Sequence, residues 1–184
     1  SGFVALGEPQ AFDAKAALVG VCWDTQGNAG TNPATGFLGT TDSQKLVLRA
    51  NNAVGFRLEP SPFGPNIVGG ASGNAASAGF SGQVIAGGGS NITICGPSPT
   101  EPCNNLTGAS FATVGGGQAN RASEFGSVVA GGEYNMASGM YSVVAGGKSN
   151  NAENFNAAVG GGEINVASGS GSTVSGGIRN KAIG

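Results

Sequence analysis

Side chains that could carry chemistry are few in this sequence, and their spacing points away from catalysis. There is no histidine, and the ten acidic residues are scattered along 184 positions. Nowhere do two carboxylates and a base recur at positions that a repeat would bring to one glycosidic bond. The run Gly115-Gly116-Gly117 lacks the Lys-Ser/Thr of a phosphate-cradling loop, and no helix start follows it. Calcium-binding Gly-Asp nonapeptides are absent. Thr113 and Thr173 share a repeat position with Val128, Val143 and Ala158, so the flat threonine row of an ice-binding surface is missing. The chain is therefore expected not to be an enzyme, with no catalytic residue, no metal and no cofactor. Three cysteines remain. Cys95 and Cys103 flank Gly-Pro-Ser-Pro-Thr-Glu-Pro, a compact spacing that a disulfide can close, with two free thiols in a loop as the lesser alternative; the bridge would argue for an exported protein, and Cys22 is left over.

The elements that would have to position any site are unusual in composition. Glycine supplies 36 residues without the every-third spacing of collagen, and charged residues are 10%. The apolar residues are mostly Ala and Val, so a wide core is not available. Stability must come from stacked layers, from partner chains, or from both. Net charge is −2 with no basic run, which argues against a nucleic-acid or anionic-membrane partner, and the longest apolar runs are too short for membrane insertion. No secretory signal is present, and the last residue, Gly184, follows a repeat asparagine where a cap is expected; both features read as a segment of something longer.

The organising stretch runs from Phe111 to Gly184, where one pattern recurs five times at a period of fifteen. Glycine pairs begin at Gly116, Gly131, Gly146, Gly161 and Gly176. Two residues before each pair stand Val114, Val129, Val144, Val159 and Val174. Three after it stand Asn120, Asn135, Asn150, Asn165 and Asn180, followed by Ala122, Ala137, Ala152, Ala167 and Ala182. Fifteen residues are too few for a helical repeat, and β-branched residues dominate, so each copy is expected to be one solenoid coil of two short strands and two turns. Alternation puts Ser127 and Val129 on one face and Val128 and Ala130 on the other, which directs the valine row inward. Glycine serves turns that need positive φ or close approach, and the asparagines suit turns and coil-to-coil amide hydrogen bonds. Gln118, Glu133, Lys148, Glu163 and Ile178 would then form a vertical surface row.

In chain order, residues 1–36 form an irregular segment with Trp23, a short strand near Leu18 to Val21 and a loop from Asp24 to Gly36. Residues 37–65 form a β-hairpin and a Pro-rich connector through Pro60, Pro62 and Pro65. A three-residue loop, Asn51-Asn52-Ala53, would set Leu48 against Phe56 and Leu46 against Leu58. Residues 66–184 form the repeat domain, with degenerate copies from Val68 to Asn74 and from Ile85 to Asn91, two extra residues near Ala78 to Gly82, and an inserted loop at 92–109. The row Phe125, Met140 and Phe155, with Tyr141 beside it, would be an exposed apolar stripe, which burial against identical chains around a threefold axis removes.

The motif Ser127-Val-Val-Ala-Gly-Gly-x-x-Asn-x-Ala-Ser-Gly139 resembles the head repeats of trimeric autotransporter adhesins of the YadA-like type, over residues 66 to 184. The chain departs from them in its slightly longer repeat and doubled glycine. The resemblance implies an all-β, left-handed parallel β-roll, homotrimeric, at the bacterial outer surface. The stretches Phe37-Leu-Gly-Thr-Thr-Asp42 and Phe56-Arg-Leu-Glu-Pro60 resemble segments upstream of such repeats in surface and phage tail-fibre-like proteins, some of which end in a self-cleaving chaperone. The function so implied is an attachment module, an adhesin head or a fibre segment, whose partners are its own copies and a surface receptor, matrix protein or glycan.

Overall fold

The structure is a computed structural model that describes residues 29–30, 32, 34–91 and 103–184. Cys22, Trp23, the strand expected near Leu18 to Val21, and Cys95 lie outside the described residues. The chain divides into two compact units, Ser1–Thr40 and Thr41–Gly184. In the first, Asn32 organises a turn: its Oδ1 accepts from the Ala34 amide at 3.0 Å and its carbonyl from the Thr35 and Gly36 amides at 3.0 and 2.7 Å.

The second unit is all-β among the described residues and is a parallel β-solenoid preceded by a hairpin. The hairpin strands are β1 (Leu46–Ala50) and β2 (Ala53–Glu59), and β2 pairs antiparallel with β3 (Asn66–Gly69), which opens the first coil. Leu46 faces Leu58 and Leu48 faces Phe56, the expected register, but the loop is shorter than expected. Asn51 and Asn52 have φ of 47° and 58°, a two-residue turn with both residues left-handed, and Ala50 faces Ala53. Gly55 is an extra, unpaired residue on β2, a bulge opposite the Leu48–Arg49 step of β1 that restores the register. The hairpin's intended inner face is only part covered, since Leu48 stays exposed.

From β3 onward each coil adds one strand to each of two sheets. The first sheet continues through the two-residue strands Val84–Ile85, Thr113–Val114, Val128–Val129, Val143–Val144, Ala158–Val159 and Thr173–Val174. The second holds seven, from Ala75–Ala76 and Leu106–Thr107 to Lys181–Ala182. All coil-to-coil pairings are parallel and in register, so Val144 lies between Val129 and Val159, and Ala137 between Ala122 and Ala152. The core is a slab one side chain deep: Val68, Ile85 and the five repeat valines from the first sheet meet the alanine row from the second, and Val114, Val129 and Val144 are fully buried. Each buried valine contributes about 1.5 kcal/mol or more, and alanine opposite is what lets the sheets come so close.

In the pair Gly131-Gly132 the second glycine is the constrained one. At Gly132 φ is 91° and a Cβ would lie 2.2 Å from the Gly147 carbonyl oxygen, whereas a Cβ on Gly131 would meet nothing. The degenerate second copy is built differently from its expected form. The asparagine that follows Ile85 in the stack is Asn105, not Asn91: the Asn105 amide donates to Asn74 Oδ1 at 2.9 Å and its Nδ2 to the carbonyls of Gly87 and Gly117 at 3.0 Å each. Asn91 instead accepts from Ser72 Oγ at 3.0 Å. The insertion therefore interrupts the corner itself and ends earlier than 109, because Leu106–Thr107 is a strand of the second sheet.

Candidate functional site

The repeat side chains singled out by spacing are absorbed by the stack. Asn120, Asn135, Asn150 and Asn165 are buried at 0–1% exposure and form a ladder. Asn135 Nδ2 donates to the carbonyl of Gly131 in its own coil at 2.9 Å and to that of Gly147 in the next at 2.8 Å, and its Oδ1 accepts from the Asn150 amide at 3.0 Å. Asn120, Asn150 and Asn165 repeat this set. Asn180, at the last coil, is exposed and keeps its amide bond to Asn165 Oδ1 and one side-chain bond to Gly176 O. The left-handed corner residue is the one before each asparagine, and no residue type marks it: Ala119, Tyr134, Ser149, Ile164 and Arg179 all have φ between 55° and 57°. At the other corner Ser127 Oγ donates to the Glu124 carbonyl at 2.7 Å and accepts from its amide at 3.1 Å, with Ser142 and Ser172 doing the same for Gly139 and Gly169. These bonds satisfy polar groups that closing so narrow a coil would otherwise bury unpaired.

What faces outward differs on each side. The two outward columns of the first sheet, Val84, Thr113, Val128, Val143, Ala158, Thr173 and Ala86, Gly115, Ala130, Ala145, Gly160, Ser175, contain no charge and nothing larger than valine. The second sheet's outward positions include Arg121, Glu153 and Lys181. One corner carries the row Gln118, Glu133, Lys148, Glu163 and Ile178, joined by parallel bridges, with Lys148 Nζ 3.0 Å from Glu133 Oε2. That carboxylate, hydrogen-bonded to the ammonium, raises the Lys148 pKa above its ordinary value. Cys103 occupies the position one layer before Gln118, since its carbonyl accepts from the Ala119 amide as that of Gln118 does from Tyr134. It is fully buried and disulfide-bonded.

The opposite corner carries the aromatic side chains, arranged otherwise than as a single column. Phe111, Phe125, Tyr141 and Phe155 stack edge to face at centroid separations of 5.3, 5.6 and 6.0 Å. The rings alternate between two neighbouring positions because glycine in one coil leaves room for a ring from the next: a Cβ on Gly126 would lie 2.7 Å from the Tyr141 ring. Each ring thus gains partners within its own chain while staying 36–50% exposed. Phe111 was missed in the sequence because it sits one position off the Phe125 column.

At the foot of this ridge the irregular first coil forms a cleft of about 270 Å³ against the hairpin, lined among others by Ser43, Lys45, Glu59, Pro60, Ser77 and Phe80. Glu59 Oε1 accepts from Lys45 Nζ at 2.9 Å and from Arg57 Nε at 3.0 Å. Arg57 is consumed structurally, its other nitrogens donating to the carbonyls of Ser72 and Asn74 at 3.3 and 2.6 Å. Partial burial pushes the Glu59 carboxyl up, but the hydrogen bonds and charges of Lys45 and Arg57 outweigh it and hold the group below its ordinary value. No group of three or more metal-ligating side chains occurs among the described residues. No protein-family model matches the chain, and no curated protein matches it either.

Proposed function

We propose that this chain is a structural attachment module, a segment of a surface adhesin head or fibre that assembles as a homotrimer outside the cell. The observation that carries the reading is the first sheet's outer surface. Across six layers from Val84 to Thr173 it offers an uncharged face of small side chains, while the other faces carry the charges and the aromatics. Three such faces can close around an axis parallel to the stack without burying a charge. The ladder supports the same reading, since the repeated side chains are spent on building a stiff rod and leave the outward positions free to meet a receptor. The Cys103 disulfide is in keeping with an oxidising compartment.

Multi-angle light scattering at micromolar concentration tests the assembly. A mass near three times 17.7 kDa is expected, falling to one chain in Val143→Lys and unchanged in Lys181→Glu on the other sheet. A wild-type monomer sinks the trimer. Beads coated with the chain and offered to cultured cells test attachment, and beads that bind no better than uncoated ones overturn it.

A further inference from the structure

We infer that the cleft beneath the aromatic ridge holds the terminal residue of a neutral glycan, whose following sugars run up the ridge of Phe111, Phe125 and Tyr141. The proposal rests on the attachment reading and gives it a ligand class and a site. The cleft exists because the chain breaks its own rule: Val68 and Ile85 are seventeen residues apart rather than fifteen, and the corner so enlarged, around Ala78 and Gly79, forms one wall. Its polar groups come as matched donors and acceptors. Lys45 gives one of its protons to Glu59 and keeps the others, while Glu59 takes both of its cations on Oε1 and leaves Oε2 open. The hydroxyls of Ser43 and Ser77 make no hydrogen bond among the described residues. Half-exposed Phe80, with Pro60 and Pro62, supplies an apolar wall.

Adjacent donors and acceptors beside a flat apolar surface are what a sugar ring demands, since its hydroxyls both give and accept while its C–H face seeks an aromatic. Glu59 is already paired with Lys45 and Arg57, so the cleft meets a ligand with hydrogen-bonding groups whose charges are largely answered, which suits a polyol. The ridge continues from this point. The Phe111 amide donates to the Ser81 carbonyl at 3.0 Å and its ring covers Gly82, which places Phe111 one layer above Phe80's corner. Above it the rings follow at 5.3 and 5.6 Å, about one per coil, with successive planes turned by 80° and 85°, so a glycan advancing one sugar per layer meets ring faces and ring edges in turn. The strip is one side chain wide, far short of the roughly 800 Å² per partner of a stable protein interface, and it carries no cation to attract a sulfated chain.

The test is titration calorimetry of the intact chain with neutral tetrasaccharides ending in glucose, galactose, mannose or N-acetylglucosamine, alongside sialylated and sulfated counterparts. Saturable binding of at least one neutral tetrasaccharide is expected, with its terminal monosaccharide competing. Phe80→Ala and Glu59→Gln should each weaken both ligands tenfold or more, with Ser77→Ala, which disturbs no structural hydrogen bond, weakening them several-fold. Phe125→Ala should weaken the tetrasaccharide several-fold and leave the monosaccharide unchanged. Preference for a charged counterpart, failure of every neutral ligand, or Phe80→Ala binding as wild type would overturn the proposal. Cells stripped of glycans separate the two readings: adhesion that survives stripping removes the cleft and keeps attachment, whereas glycan binding by a chain that adheres to no cell removes attachment and keeps the cleft.

Discussion

Replacing Asn135 by alanine should cost far more than replacing Asn180, although both hold the same place in the repeat. Asn135 is 1% exposed, and its side chain makes bonds of 2.9 and 2.8 Å to the carbonyls of Gly131 and Gly147 and accepts the Asn150 amide at 3.0 Å. The two donated bonds are worth about 1 kcal/mol each, and the Asn150 amide left buried without an acceptor adds about 1–3 kcal/mol, for a total of about 3–5 kcal/mol. Asn180 is exposed, its side chain donates only to Gly176 O, and no described amide depends on its Oδ1, so its loss should cost about 1 kcal/mol or less. A solenoid can lose coils locally, so the cost must be read by position as well as by denaturant midpoint. Hydrogen exchange with peptide resolution should show Asn135→Ala releasing the amides of Asn150 and its neighbours above and below, and Asn180→Ala only the last coil. If the two variants match within about 1 kcal/mol, the ladder is an ornament of the turn and the valine slab alone holds the stack.

Three further substitutions follow from local geometry. Ser149 has φ of 56° and little side chain to lose, so Ser149→Gly should raise stability by about 0.5–1 kcal/mol in a urea titration, while Gly132→Ala, whose Cβ would strike the Gly147 carbonyl, should lose more than 2 kcal/mol. Thr107 replaces alanine in the inward row and its Oγ1 has no hydrogen-bond partner, so Thr107→Val should gain about 1 kcal/mol in the same titration. Because the folded Glu59 pKa lies below its unfolded value near 4.5, its contribution is present above that value and lost as pH falls through the folded one; the protection of the hairpin amides, corrected for the intrinsic pH dependence of exchange, should fall over that acidic range in wild type and lose that fall in Glu59→Gln.

How much of this was legible follows from what repeats. Rows at a fixed period reveal stacking whatever their chemistry, so the inward valines, the alanine row and the register of Glu133, Lys148 and Glu163 could be read before any coordinates. Alternation in the hairpin likewise determined which residues face each other, but not the loop, because the bulge at Leu48/Arg49 lets a two-residue turn serve the same register. Asn91 misled because it stands six residues after Ile85, as Asn120 does after Val114; the better signal was the fifteen-residue spacing from Asn105 to Asn120 and from Thr107 to Ala122. The left-handed corner residues were unreadable for a physical reason. Once the asparagine ladder and the glycine behind it dictate the turn, the intervening backbone is forced to φ near 56° and accepts alanine, tyrosine, isoleucine or arginine alike. The same logic leaves the cleft legible only in part, since the seventeen-residue spacing from Val68 to Ile85 marks its enlarged corner but nothing periodic marks its other walls. Its walls come from the hairpin, the proline connector and the one enlarged corner, which are the parts of the unit that occur once. A periodic sequence therefore announces its scaffold, and experiments on the proposed glycan site belong at the non-periodic residues Lys45, Glu59 and Phe80.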